Sequence, residues 1–136
     1  MKPRVFISQP LPEPVMQVAR EVFTLVGHTG EGTSRQEVLR EGLRQADAVI
    51  TTLSEQVGAA LLDQAPHLRV IANYAVGYNN IDVQAAKRKG IVVTNTPDVL
   101  TDATADLTWA LILAVARRVV EGHQLVQQGG WEGWAP

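Results

Sequence analysis

At 136 residues, with a net charge of −2 and 46% hydrophobic against 19% charged residues, the chain has the size of one domain and an ordinary globular composition. Charge is mixed along the chain without a basic run, which argues against a nucleic-acid partner, and the lack of cysteine excludes disulfides, thiolate metal sites and a cysteine nucleophile. The N-terminus shows no long apolar segment, and the longest apolar run, Trp109 to Ala116, is too short to span a bilayer, so the cytoplasm is the expected compartment.

Short β-branched runs alternate with helix-length amphipathic stretches, the pattern of an α/β fold with a parallel sheet. The first strand is expected over Arg4 to Ser8, then a helix over Pro14 to Val22, with a proline in its first turn where the missing N–H costs nothing. Phe23 to Val26 reads as the second strand, and Gly27 to Thr33 as a loop. Ser34 is placed to cap a helix running to Gln45, with Glu37 completing a capping box. Ala48 to Thr51 is the third strand, followed by a helix from about Glu55 to Gln64, where Pro66 intervenes. Leu68 to Ala72 is the fourth strand. Asp82 caps a helix to Lys89, Gly90 ends it, and Ile91 to Thr94 is the fifth strand. Five strands with helical crossovers predict a flavodoxin-like, doubly wound parallel sheet of order 2-1-3-4-5.

Thr101 is expected to cap a long helix reaching about Gln127, with a break at Gly122. Such a helix is roughly 40 Å long, against a radius of gyration of about 14 Å for a domain of this size. Trp109 to Ala116 is apolar on every face and calls for cover on more than one side. Two readings supply that cover, a helix clamped between the sheet and another helix or one covered by a second domain or subunit; residues 101–128 are assigned to the latter, a long interdomain or dimer crossover helix, residues 1–100 to the main domain, and residues 129–136 to a linker. Asp106 is read as a first-turn acid favoured by the helix dipole. His28, His67 and His123 lie away from any expected site, and no metal site is expected.

Chemistry concentrates in Ile71-Ala-Asn-Tyr-Ala-Val-Gly-Tyr-Asn-Asn-Ile-Asp82. A strand delivers the chain to Ala75, Val76 and Gly77, and a glycine there permits a turn that gathers successive N–H groups into an anion nest. The segment falls at the carboxyl end of a strand, where open α/β sheets bind ligands. Taken with Thr94-Asn-Thr-Pro-Asp-Val-Leu-Thr-Asp-Ala-Thr-Ala-Asp106, it resembles the D-isomer-specific 2-hydroxyacid dehydrogenase family, most of all its glyoxylate/hydroxypyruvate reductase branch. The ending Gly-Gly-Trp131-Glu-Gly-Trp134-Ala-Pro136 is similar too, and the resemblance covers essentially the whole chain.

That resemblance implies an NAD(P)H-dependent enzyme that reduces a small 2-oxo acid to the D-2-hydroxy acid. It assigns the substrate carboxylate to the loop of Ala75, Val76 and Gly77, with the Val76 side chain beside the nicotinamide. Leu53 would line the substrate pocket, Thr104 would touch the cofactor across an interdomain cleft, and Trp134 would reach a neighbouring subunit's active site in a homodimer. Each has a plainer reading, as a packing leucine, a first-turn hydroxyl and a linker aromatic. The family's catalytic arginine, glutamate and histidine, and its Gly-x-Gly-x-x-Gly phosphate loop, belong to a part that follows this sequence. Gly27-His-Thr-Gly30-Glu-Gly32 has the wrong spacing for that loop. The chain by itself is thus expected to bind no cofactor and to be inactive. Rival readings fare worse: a phosphorylation receiver needs acids where Ser8-Gln9 and Thr51-Thr52 stand, and a flavin module needs a phosphate loop where Gln9-Pro-Leu-Pro-Glu13 stands. A stand-alone regulatory or interaction domain that binds small carboxylates is the remaining alternative.

Overall fold

A computed structural model describes residues 1–27 and 35–134. The first strand, β1 (Arg4–Ile7), buries the adjacent residues Val5 and Phe6, so both of its faces are covered, as a central parallel strand requires. Its neighbours are β2 (Thr24–Leu25), β3 (Ala48–Thr51), β4 (Val70–Asn73) and β5 (Val92–Thr94). All pairs are parallel and the order is β2-β1-β3-β4-β5, as the sequence pattern predicts. Strand ends differ from expectation by one or two residues, most at β4, which starts at Val70 and extends to Asn73.

Four helices join these strands: α1 (Glu13–Val22), α2 (Arg35–Gln45), α3 (Ala59–Leu62) and α4 (Val83–Arg88). Register places Phe6, Val49, Ile71 and Val93 side by side in one row across the sheet. Leu39 and Leu43 of α2, Leu61 and Leu62 of α3, and Ala85 and Ala86 of α4 pack in the same core. Gly42 lets α2 press onto the Phe6 ring, since a Cβ there would stand 2.4 Å from Cγ of Phe6. The opposite sheet face, with Ala48, Ile50, Val70, Ala72 and Val92, lines an open apolar cleft of about 570 Å³.

Asp82 caps α4, its carboxylate accepting the Ala85 N–H at 2.8 Å, and Gly90 follows at φ 70°. The helix expected from Glu55 shrinks to one turn. Gly58 starts it, while Val57 forms a parallel bridge with Ile81 and Glu55 is committed to a buried polar cluster. The proposed Ser34 cap, His28 and the glycines at 30 and 32 lie outside the described residues.

The chain divides into two units, Met1–Pro97 and Asp98–Pro136. The second contains α5 (Thr101–Ala116) and α6 (Val119–Gln127). The helix break falls at Arg117 and Arg118, not at Gly122, which continues inside α6 with open space around it. Arg118 takes a left-handed conformation (φ 53°) and pairs with Glu121, whose charge favours the new helix N-terminus. Thr101 begins α5 but does not cap it; Leu100 occupies that position without a side-chain bond. The first-turn acid is Asp102, and Asp106 stands a turn later. No residue of α5 is buried, including the whole apolar run from Trp109. Among the described residues no helix is long and apolar enough to cross a membrane.

Candidate carboxylate-binding site

Two residues beyond the apolar row, the same alternation brings Ser8, Thr51, Asn73 and Asn95 to the carboxyl ends of β1, β3, β4 and β5. A row of hydrocarbon gives way to a row of hydrogen-bonding groups. Thr51 and Asn73 are fully buried partners, the hydroxyl donating to Asn73 Oδ1 at 3.0 Å. The Asn73 amide donates to the Gly77 carbonyl at 2.8 Å and to Asn80 Oδ1 at 3.3 Å. Asn80 in turn donates to the carbonyls of Thr52 and Glu55, both at 3.0 Å. The loop after β4 is thereby tied to the loop after β3.

Glu55 ties in the loop after β1. Its carboxylate accepts from the Ser8 hydroxyl (2.9 Å), the Gln9 amide (2.8 Å), the Thr52 N–H (2.7 Å) and the Thr52 hydroxyl (2.9 Å). Burial alone would push this carboxyl up, but the bonds from Gln9, Thr52 and Ser8 together outweigh it and hold the group below its ordinary value. Glu55 therefore stays ionised at neutral pH although only 2% of its surface is exposed. No buried side-chain nitrogen or oxygen is left without a partner among the described residues.

On this base sits the loop Ala75, Val76 and Gly77. Three successive carbonyls are held from the protein side: Ala75 by the Thr96 N–H (2.9 Å), Val76 by the Asn95 amide (2.8 Å) and Gly77 by Asn73. The N–H groups of Val76 and Gly77 make no hydrogen bond among the described residues and belong to exposed positions. Two adjacent free donors of this kind suit an anion. Gly77, contrary to expectation, has no positive φ, and a Cβ there would meet only Asn79 Oδ1 at 3.4 Å and Leu53 Cδ2 at 3.8 Å. Glycine keeps the approach open without being required by the backbone.

Leu53 is half exposed and lies across from Gly77, so the structure brings together Leu53, Ala75, Val76 and Gly77. Thr104 and Trp134 belong to the second unit, where Thr104 is an exposed residue of α5 and Trp134 is 83% exposed. His67 and His123 are exposed and outside these loops. A cleft of about 260 Å³, lined by Leu11, Ile50, Ala72, Tyr74 and Asn95 among others, includes neither Val76 nor Gly77 and is mostly apolar. Among the described residues no cluster of histidines and acids could hold a metal ion. The sequence has no glycine-rich phosphate loop of the spacing that cradles a dinucleotide.

Sequence reasoning did not single out Glu55, Asn73, Asn80 or Asn95. One signal was present: Thr52-Leu-Ser-Glu55 has the capping-box spacing, and the Thr52 N–H to Glu55 bond is half of that motif.

Residues 5–127 match the family model described as D-isomer specific 2-hydroxyacid dehydrogenase, catalytic domain. A glyoxylate reductase of Thermococcus gammatolerans is 48% identical over 140 residues, spanning 100% of this chain and 42% of that protein. The glyoxylate reductase of Thermococcus kodakarensis is 47% identical with the same coverage. The chain thus spans 42% of the length of these relatives. Among solved structures, a protein of Thermus thermophilus superposes with a TM-score of 0.85 at 42% identity, covering 98% of this chain and 43% of that one. An NADPH-dependent glyoxylate/hydroxypyruvate reductase of Sinorhizobium meliloti, solved with NADP and malonate, gives 0.74 at 31% identity, covering 100% and 42%. Fold, match and identity agree: the chain belongs to the D-isomer specific 2-hydroxyacid dehydrogenase family and corresponds to its catalytic domain.

Proposed function

We propose that this chain supplies the substrate-carboxylate site of an NAD(P)H-dependent reductase that converts a small 2-oxo acid, glyoxylate or hydroxypyruvate, to the D-2-hydroxy acid. The observation that carries the reading is the pair of free N–H groups at Val76 and Gly77, at the carboxyl end of a central strand, with their carbonyls held from behind. Two amides on one carboxylate fix its plane and thereby the face that the 2-oxo carbon presents. Leu53 supplies an apolar wall on the other side.

In this reading the Val76 side chain flanks the nicotinamide, Thr104 touches the cofactor, and Trp134 serves a neighbouring subunit's site in a homodimer. The dinucleotide cradle, the arginine that completes carboxylate binding and the histidine–glutamate pair that supplies the proton come from residues outside this chain. The names of the relatives above support the substrate class. In the enzyme carrying this segment, Gly77→Val is expected to raise the KM for glyoxylate at least about tenfold while the KM for NAD(P)H moves by less than about twofold. An unchanged glyoxylate KM removes the loop from the site. The 136-residue chain alone is expected to show no turnover with NADH or NADPH.

A further inference from the structure

We infer that Asn95 is a positioning residue of this site: by holding the Val76 carbonyl, its side-chain amide aims the Gly77 N–H at the bound carboxylate. The inference rests on the reading of Val76 and Gly77 as carboxylate ligands. A peptide unit is planar and trans, so the carbonyl of Val76 and the N–H of Gly77 point in opposite directions. Whatever fixes one fixes the other. Asn95 Nδ2 donates to that carbonyl at 2.8 Å.

Nothing local does the same work. Gly77 has no positive φ, and a Cβ there would meet its neighbours only at ordinary contact distance, so neither strain nor crowding at residue 77 sets the plane. The preceding plane is set by the Thr96 N–H and the following one by Asn73, which leaves the central plane to Asn95. The three donors also differ in what else they hold. Asn73 is buried and shared with Thr51 and Asn80, and Thr96 uses its backbone. Asn95 is half-buried just past β5, and its amide makes this one bond among the described residues. Its removal therefore frees the plane without cutting the network underneath.

The test uses oxalate, an inert small carboxylate, titrated into the isotope-labelled 136-residue chain and followed by NMR. In the unmodified chain, the Val76 and Gly77 amide signals move with millimolar oxalate. Asn95→Ala is expected to weaken the apparent affinity at least about tenfold, to shift the Val76 carbonyl carbon upfield as its hydrogen bond is lost, and to leave the thermal midpoint within about 2 °C. Asn95→Gln, which keeps the amide on a longer stem, should recover part of the affinity. Asn95→Asp, of the same shape without a donor, should bind least. If oxalate leaves Val76 and Gly77 unmoved in the unmodified chain, the carboxylate reading falls, and this role with it. If the unmodified chain binds but Asn95→Ala binds equally well, or keeps its Val76 carbonyl shift, the positioning role alone is overturned.

Discussion

Removing the Glu55 carboxylate should destabilise the first unit more than any other single change in its polar cluster. The carboxylate accepts four hydrogen bonds from residues on the loops after β1 and β3. Glu55→Ala leaves those donors facing a small cavity. Deleting one partner of a buried charged cluster costs about 3–5 kcal/mol. Ser8, Gln9 and Thr52 are only half-buried, so water can reach some of them, and a loss of about 3 kcal/mol is expected. For a unit of this size that lowers the midpoint by about 12–24 °C, at about 4–8 °C per kcal/mol. Glu55→Gln keeps the shape and one acceptor oxygen, and should lose about 1–2 kcal/mol.

The same residue gives a pH signature with a definite sign. Its pKa is depressed in the folded chain, so its contribution is complete above the unfolded value, about 4.3, and is lost as pH falls through the lower folded value. Glutamine does not titrate. The stability gap between the unmodified chain and Glu55→Gln should therefore be constant from about pH 7 to 5 and narrow below about pH 4. Urea unfolding followed by far-ultraviolet circular dichroism measures both effects. A Glu55→Ala loss under about 1 kcal/mol, or a gap that does not narrow in acid, would refute the assignment of Glu55 as the ionised hub.

Gly42→Ala should destabilise by about 1–3 kcal/mol through overpacking against the buried Phe6 ring, despite the roughly 1 kcal/mol gain in helix propensity; an unchanged urea midpoint would show that the ring gives way. Gly77→Ala, by contrast, should leave stability within about 0.5–1 kcal/mol, because neither a left-handed backbone nor crowding requires glycine there, and a larger loss would restore the conformational argument. The exposed faces of α5, with Leu107, Trp109, Leu111 and Leu113, should drive self-association of the 136-residue chain. Sedimentation should show concentration-dependent dimers that Leu113→Glu abolishes, and a monomer at high micromolar concentration would count against this.

The sheet order was legible because its cause is short-range. β-Branched runs separated by amphipathic stretches admit few right-handed windings, and Gly90 and Asp82 marked the ends of α4 by local chemistry. The loop at Ala75 to Gly77 stands out in the sequence because it lies inside a long motif. The groups that hold it in place leave no such signal, because Glu55 and Asn80 act through partners distant in sequence, up to 47 positions for Ser8 and Glu55. Periodicity favoured a helix from Glu55; a tertiary hydrogen-bond cluster took that residue instead and left one turn at Ala59–Leu62. The α5–α6 break falls away from the expected glycine for a related reason. Glycine at 122 marks the weakest helical propensity, whereas the break occurs where Arg118 turns left-handed and Val119 starts a new helix with Glu121 in its first turn.

The loops proposed to hold the carboxylate contain no cation, which fixes how this unit should respond to pH. Residues 8–9, 52–55, 74–80 and 95–96 include neither lysine nor arginine, and the one charge among them, on Glu55, is negative. Two amide donors to a carboxylate contribute about 1.5–3 kcal/mol each, about 3–6 kcal/mol together, and ordering costs bring this down to an affinity in the millimolar range. A cation at about 4 Å would add about 4 kcal/mol at an effective dielectric constant near 20, or roughly a thousandfold. On the proposed reading, these loops supply geometry without positive charge. Oxalate affinity of the 136-residue chain should stay flat between about pH 5.5 and 8, the window in which histidine changes charge, since backbone amides do not titrate there. His67 and His123 lie outside the loops, so neither should contribute. NMR titrations at the two ends of that window, at equal ionic strength, give the measurement. An affinity that rises more than about threefold toward acid would mean that a protonated histidine takes part in binding, and the carboxylate would then have to sit elsewhere than on Val76 and Gly77.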